Sequence, residues 1–176
     1  ADTPMESAWR DARIGRIYEG TNEINRMLSV GMLLKKGMKG HIDLMGAVMK
    51  AAVNLSDQDH ENNYVEGHFS QEQNLIYKFK QLFLVLIGNA VQKYGKKLEE
   101  QQQILLALSD ILIEIYFAES ALLRTIKNLE RDEIEAQEIT KAIVEFYVFG
   151  AHDIVNKKGK EVILNISQAK EQKQLL

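Results

Sequence analysis

The chain contains a single proline, Pro4, and this scarcity restricts its fold more than any other feature of the sequence. Proline ends or kinks a helix, so the rest of the chain lacks the residue that most often interrupts long helices. Asn-Gly and Asp-Gly pairs, which mark tight hairpin turns, are also absent from the sequence. We therefore predict an all-α fold.

The first part of the chain predicts three shorter helices. The first begins at Thr3-Pro4, where Thr3 can cap it, and ends near Gly15. The second begins after Gly20 with Thr21 or Asn22 as its cap, and it ends at the glycines that follow. The apolar residues expected to face inward on this second helix are Ile24, Met27, Leu28 and Leu34. Residues 41–55 predict an amphipathic helix whose apolar face consists of Ile42, Met45, Val48, Met49 and Ala52.

Three long helical patterns follow, over residues 71–94, 98–130 and 134–165. The apolar positions of the first two patterns recur at helical spacing, and they are Leu75, Phe79, Leu82, Phe83, Leu86 and Ala90 in the first and Leu105, Leu108, Leu112, Ile115, Leu122, Ile126 and Leu129 in the second. Short polar connections join them, so we expect an up-down-up bundle. In the last pattern the inward residues are expected to be Ile139, Ile143, Phe146 and Val155. The aromatic run Phe146, Tyr147 and Phe149 could line a binding pocket, but its helical spacing favours a place in the core.

The sequence divides into three predicted parts. Residues 56–70 are polar, contain Gly67 and lack a sustained period, which is typical of a linker. Residues 1–40 are net basic and the remainder is net acidic. We therefore predict one unit over residues 1–40, an amphipathic helix and mobile linker over 41–70, and a helical-bundle extension over 71–176.

Composition excludes several classes of function. The formal net charge is −3, which does not provide the concentrated positive surface that nucleic-acid binding requires. Cysteine is absent, so disulfides and thiolate chemistry are excluded. No apolar run approaches the length of a membrane span, and the first residues do not form a secretory signal.

Most catalytic and metal-binding motifs are missing as well. The sequence H-E-N-N-Y at His60 imitates a zinc-protease motif, but Tyr64 stands where the second ligand is required. We therefore expect no metal site, and we interpret Asp57, Asp59 and Glu61 as part of a solvated acidic loop.

One segment combines features that are typical of an active site. Residues 13–26 read RIGRIYEGTNEINR, in which Glu19 lies between an apolar-aromatic pair and a Gly-Thr that opens a helix. A purely structural interpretation is also available. Gly20 permits a sharp turn, Thr21 caps the helix, and Glu19 lies near the positive end of the helix dipole.

The sequence WRDARIGRIYEGTNEINRML, from Trp9 to Leu28, resembles the carboxy-terminal catalytic segment of the acyl-CoA dehydrogenases. These flavoenzymes oxidise fatty acyl-CoA thioesters to trans-2-enoyl-CoA. The resemblance covers residues 1–40 and rests on R-D-A-R-I, I-Y-E-G-T and a following Arg in the family's order and spacing. The long sequence beyond it resembles the long-chain and very-long-chain members, which carry an extra helical domain after the catalytic one.

The resemblance implies a role for each residue of the motif. Glu19 is the catalytic base that removes the α-proton while a hydride passes to FAD, Gly20 lies against the substrate, and Thr21, Asn22 and Glu23 contact the flavin. Burial of a carboxylate beside apolar groups raises its pKa toward the range in which a base works at neutral pH. A helix start with free N–H groups is also suited to an electron-rich ligand.

The resemblance further implies an acyl-CoA substrate, electron-transfer flavoprotein as the acceptor, and a homo-oligomer. It places the parent protein in the bacterial cytoplasm or, alternatively, in the mitochondrial matrix. We expect the chain to be a carboxy-terminal part of a longer enzyme and to be inactive alone. Residues 41–55 could contact a membrane surface, or they could pack on the bundle. The rival expectation is a structural or interaction module of a parent that no longer catalyses.

Overall fold

A computed structural model describes residues 4–56, 69–129 and 134–167. Its α-helices are α1 Met5–Ile14, α2 Asn22–Met38, α3 Leu44–Ser56, α4 Ser70–Tyr94, α5 Gln102–Leu129 and α6 Ile134–Ile166, and a 3-10 helix spans Gly95–Glu100. The described residues contain no strand, and the predicted all-α fold is confirmed. The predicted helix over 98–130 begins later than expected, because the 3-10 helix occupies its first residues. Thr3, most of the predicted linker including its acidic loop, and the connection at 131–133 lie outside the described residues.

Helices α4, α5 and α6 form the bundle, and their contacts give its direction. Phe79 of α4 lies beside His152 of α6, and further along both helices the Tyr94 hydroxyl donates to the Asn165 carbonyl at 3.0 Å. These two helices therefore run parallel. Helix α5 runs opposite to both, because its Glu119 pairs with the early α4 residue Lys80 at 2.5 Å. The predicted up-down-up order is confirmed.

The core of the bundle lies along the predicted apolar faces of α4 and α5. Helix α4 buries Phe79, Phe83, Leu86 and Ala90, and α5 buries Leu105, Leu108, Ile115 and Leu122. Both helices carry one dominant apolar stripe at spacings of three and four residues, so periodicity alone selects the buried face. Leu108 and Ile111, both inaccessible to solvent, mark the centre of this core.

Helices α2 and α3 pack on the bundle, whereas α1 does not. Helix α2 lies against α5 and inserts Val30, which is fully buried, into the common core. Helix α3 lies against α4, where Val48 meets Gly88 so closely that a Cβ there would lie 2.4 Å from a Val48 methyl. Helix α1 buries no side chain.

The predicted inward face of α6 is wrong over most of its length. Ile139, Ile143 and Phe146 are exposed, Phe146 to 83%, and the expected core position of the aromatic run is therefore not found. Val155 is buried as predicted, and the other valines and alanine that α6 buries are Val144, Val148, Ala151 and Val162. Helix α6 is apolar on more than one face, so its sequence allowed two choices, and packing against α4 and α5 decided between them.

The same correction applies to part of α2, and α3 leaves most of its predicted apolar face exposed. Ile24 and Leu28, which were expected to face inward, are exposed, while Val30 is buried and Leu33 and Leu34 are partly buried against the core. On α3 the exposed residues include Ile42 just before the helix, Met45, Met49 and Ala52, and the buried one is Ala51. Each helix therefore presents an apolar surface away from the bundle. Among the described helices, none combines the length and apolar character that crossing a membrane requires.

Candidate active-site turn and cofactor surface

The turn between α1 and α2 has a backbone conformation that most residues avoid. Glu19 has φ of 57° and Gly20 has φ of 95°, so two consecutive residues lie at positive φ. Glycine adopts such values without a steric penalty, but a glutamate does so only where surrounding contacts hold it. A strained non-glycine residue of this kind is often found at a functional site.

Hydrogen bonds to the backbone hold this turn in place. The Asn22 N–H donates to the Arg16 carbonyl at 3.2 Å and closes the loop, and the Asn25 side chain donates to the Gly20 carbonyl at 2.9 Å. A Cβ at Gly20 would lie 2.7 Å from the Asn25 side-chain oxygen. The positive φ therefore favours glycine at position 20, and a Cβ there would also displace the Asn25 side chain from its place against the turn.

The start of α2 is capped as the sequence predicted. Thr21 is the N-cap, and its hydroxyl accepts a hydrogen bond from the Ile24 N–H at 3.4 Å. Glu23 lies in the first turn, where a hydrogen bond from its own backbone N–H, followed by one from the Thr21 hydroxyl, lowers the pKa of its carboxyl. A charged carboxylate here also interacts favourably with the helix dipole.

A pocket of about 340 Å³ opens beside this helix start. Its lining consists of Arg13, Arg16, Ile17, Thr21, Asn22 and Glu23. Two guanidinium groups, a hydroxyl, an amide and the N-terminal end of a helix together form a set of donors that suits a ligand with anionic or electron-rich groups. The residues present therefore fit the phosphate-bearing and polar parts of a flavin nucleotide.

The structure brings together three of the five predicted site residues. Thr21, Asn22 and Glu23 line the pocket, whereas Glu19 and Gly20 form the adjoining turn and are not part of its lining. Glu19 is exposed, as are Ile17 and Tyr18, so the described part of this chain does not supply the apolar burial expected for a catalytic base. The residues described here also contain no cluster of side chains arranged to hold a metal ion.

Two cationic residues of the pocket were not singled out from the sequence. Arg13 lies in the last turn of α1 and Arg16 follows it by three residues, a spacing that places side chains on the same side of a helical segment. Arg13 also lies over the Trp9 ring, with its guanidinium carbon 5.8 Å from the ring centroid. The sequence feature that could have indicated this positive charge is the pair of arginines, three residues apart, directly before the turn.

Two sequence families match this chain, and both are described as the C-terminal domain of acyl-CoA dehydrogenase. One covers residues 1–33, which include the turn and most of α2, and the other covers residues 78–176, which include most of the bundle. A probable acyl-CoA dehydrogenase of Bacillus subtilis (strain 168) is 34% identical over 164 residues, which represent 93% of this chain and 27% of the relative.

A solved structure also resembles the chain over nearly its whole length. It is an acyl-CoA dehydrogenase from Bacillus anthracis complexed with FAD, with a TM-score of 0.89 and 31% identity, and the match covers 99% of this chain and 30% of that one. The fold and the two family matches therefore define an all-helical C-terminal part of an acyl-CoA dehydrogenase. The chain belongs to the acyl-CoA dehydrogenase family, and it spans less than a third of the length of these relatives.

Proposed function

We propose that this chain supplies the catalytic base and part of the flavin-facing surface of an FAD-dependent acyl-CoA dehydrogenase. The observation that carries the proposal is the Glu19-Gly20 turn, in which both residues have positive φ and lie directly before the capped start of α2. This turn falls in the segment that matches the C-terminal domain of the family.

In the proposed reaction the Glu19 carboxylate accepts the α-proton of an acyl-CoA thioester. A bound flavin supplies the oxidant that accepts the hydride from the β-carbon. Gly20 has no side chain, so a thioester can approach the backbone at this point of the turn. Because Glu19 is exposed in this chain, we propose that the substrate and the rest of the parent enzyme provide the apolar surroundings that a base needs.

In this proposal the residues that line the pocket bind the flavin. The hydroxyl of Thr21, the amide of Asn22 and the first N–H groups of α2 offer hydrogen bonds to the flavin, with Glu23 beside them. Arg13 and Arg16 add positive charge on the same pocket, which suits the pyrophosphate of FAD. The relative complexed with FAD supports a flavin in the parent family, and the assignment of its groups to these residues is our proposal.

The base is tested by replacing Glu19 with Gln in the full-length parent enzyme. Gln keeps the size of the side chain but cannot accept the proton, so flavin content should be unchanged while flavin reduction by an acyl-CoA falls about 10²–10⁴-fold. Exchange of the substrate α-proton with deuterium should fall with it. Glu6→Gln, at an exposed carboxylate of α1 paired with Arg10, is the matched control. Full activity of E19Q would refute the assignment.

The wider properties of the parent are proposed from the same family membership. They are a long-chain acyl-CoA substrate, electron-transfer flavoprotein as acceptor, assembly as a homo-oligomer, and a location in the bacterial cytoplasm or the mitochondrial matrix. We also propose that the 176-residue chain alone does not dehydrogenate acyl-CoA, since the C-terminal matches cover less than a third of each relative. Flavin absorbance and turnover by the purified chain would overturn this.

A second candidate function is membrane contact through α3. One face of this helix packs on α4, while Met45, Met49 and Val53 are exposed with Lys50 among them. An apolar surface beside a cation suits the surface of a lipid bilayer, although a single lysine gives weak electrostatic attraction. Flotation with anionic liposomes, compared between the chain and its Met45→Ser, Met49→Ser variant, tests this. Equal flotation of the two would exclude a role for α3.

A further inference from the structure

Two polar residues interrupt the apolar sequence of α5. Ser109 and Asp110 stand in ILLALSDILIEI, and Ser109 is fully buried while the Asp110 side chain is 19% exposed. A polar group in such a place is unfavourable unless it finds a hydrogen-bond partner. The hydrogen-bond and ion-pair partners of Ser109 and Asp110 therefore explain why polar residues stand at these two positions.

Both residues bind the same turn of α2. Asp110 forms an ion pair with the Arg26 guanidinium, and the Ser109 hydroxyl lies 2.9 Å from the Ser29 hydroxyl. Ser29 donates its own proton to the Arg26 carbonyl at 2.8 Å, so Ser109 is the donor between the two hydroxyls. Helix α5 thus fixes α2 both through the Arg26 side chain and through the residue three positions later.

A third helix takes part in this contact. The Lys158 ammonium on α6 lies 3.4 Å from the second Asp110 oxygen and 2.8 Å from Glu161. Arg26 Nε is buried and has no hydrogen-bond partner within the described ranges, so the ion pair to Asp110 is the polar contact that orients this guanidinium. Asp110 therefore joins α2 to both α5 and α6.

Arg26 also belongs to the helix that begins at the proposed active site. It lies about two helical turns beyond Glu19 in sequence and on the same rigid helix as the Thr21 cap. A shift or rotation of α2 on the bundle would therefore displace the cap and the turn before it. Misplacement of a reacting group by about 1 Å can slow a reaction about 10²-fold.

We infer that Asp110 is a positioning residue for the active-site turn: through Arg26 it holds α2 in the position that places Glu19 and the Thr21 to Glu23 cap. This inference rests on the proposed function, because it adds a residue of the helical extension to the same site. It assigns the extension a part in the reaction that goes beyond its own folding.

The test replaces Asp110 with Asn in the full-length parent and in the 176-residue chain. In the parent, kcat for flavin reduction by acyl-CoA should fall about 10-fold with KM changed less than about 2-fold, because placement is lost rather than substrate binding. In the chain, amide hydrogens of α2 should exchange about 10-fold faster. Asp110→Glu, which keeps the charge, should recover most of both effects.

Glu119→Gln is the matched control, since it breaks the Lys80 pair between α4 and α5 and does not touch α2. If E119Q lowers kcat as much as D110N does, the effect is general destabilisation and the inference fails. Faster exchange in α2 with an unchanged kcat would also overturn it, since the contact would then be only structural. A wild-type parent that does not reduce its flavin with acyl-CoA would refute the proposed function instead. The two failures are distinguishable, because the inference on Asp110 fails in the variants while the wild-type parent remains active.

Discussion

The segment from Pro4 to Gly20, which carries the proposed active site and is called the active-site segment below, and the bundle are held in shape by different means. From Pro4 to Glu19 every side chain is exposed, and the turn is kept by hydrogen bonds among near neighbours such as Asn25 to Gly20. In the bundle, residues far apart in sequence share one buried core, to which both Leu108 of α5 and Val148 of α6 belong. The proposed chemistry therefore lies on a locally defined turn, which the bundle supports through α2.

The active-site segment also differs from the bundle in leaving large apolar side chains exposed. Trp9, Ile17 and Tyr18 present large apolar side chains that the described part of the chain does not cover. Apolar surface of this kind commonly marks a place of contact with another surface or a ligand. The conformation of the turn is thus set locally, while the described residues leave the apolar side chains of this segment exposed.

The largest expected effect tests the bundle side of this comparison. Leu108→Ala removes a fully buried side chain at the centre of the core and should lower the free energy of unfolding by about 2–5 kcal/mol. Ile17→Ala removes an apolar side chain of the active-site segment that is exposed and should change it by about 0.5 kcal/mol or less. Urea unfolding of the chain measures both. Similar losses for the two variants would contradict the distinction between the regions.

A smaller effect is expected at the glycines on either side of the start of α2. Gly20→Ala places a Cβ at a positive φ and against Asn25, so it should destabilise the turn by roughly 1–2 kcal/mol. Gly31→Ala lies in the helix with no atom within 4 Å of its Cβ, and should stabilise α2 by about 0.5–1 kcal/mol.

Amide exchange of Ile24 and Asn25 should rise in G20A and fall in G31A, while exchange in α5 should change little. An equal loss of protection throughout the bundle in G20A would show that the turn is not locally defined.

The smallest effects on stability are expected from changes in pH, one at acid pH through Glu23 and one at alkaline pH through Tyr147. The lowered pKa of Glu23 means that its contribution to stability is present above its ordinary value of 4.5 and is lost as the pH falls through the lower folded value. Burial, followed by the charge and hydrogen bond of Glu114, raises the pKa of Tyr147 from 10.0 to about 12. The stability that this shift represents is present below pH 10.0 and is lost as the pH rises through about 12.

Acid should therefore loosen the first turn of α2, and alkali the contact between α5 and α6. NMR titration of backbone amides near Ile24 and Val148 can follow each step separately. Glu23→Gln should remove the acid step and Tyr147→Phe the alkaline one. A step that persists in its own variant would show that another group causes it.

Sequence reasoning worked best where one helix face was clearly apolar or where a local motif fixed the backbone. It predicted α4 and α5 and a part of the face that each of them buries, with Phe83 and Leu108 as examples. It also predicted the Thr21 cap and the sharp turn at Gly20. The assignment of Glu19, Gly20, Thr21, Asn22 and Glu23 to substrate and flavin came from the family resemblance and stays a prediction.

Sequence reasoning failed where the pattern allowed more than one answer. Helix α6 carries apolar residues on several faces, and the face with Val144 and Val148 was buried rather than the one with Ile143 and Phe146. The contact of Asp110 with Arg26 joins residues of two helices far apart in the chain, and no local pattern pairs them.

The sequence by itself determined the helical class, the approximate ends of most helices and the turn that carries Glu19, because proline content, periodicity and capping act over a few neighbouring residues. The tertiary structure decided which apolar face each ambiguous helix buries and which helix holds the active-site segment. Those outcomes depend on the surface that each helix meets, and that surface exists only once α2, α5 and α6 have packed together.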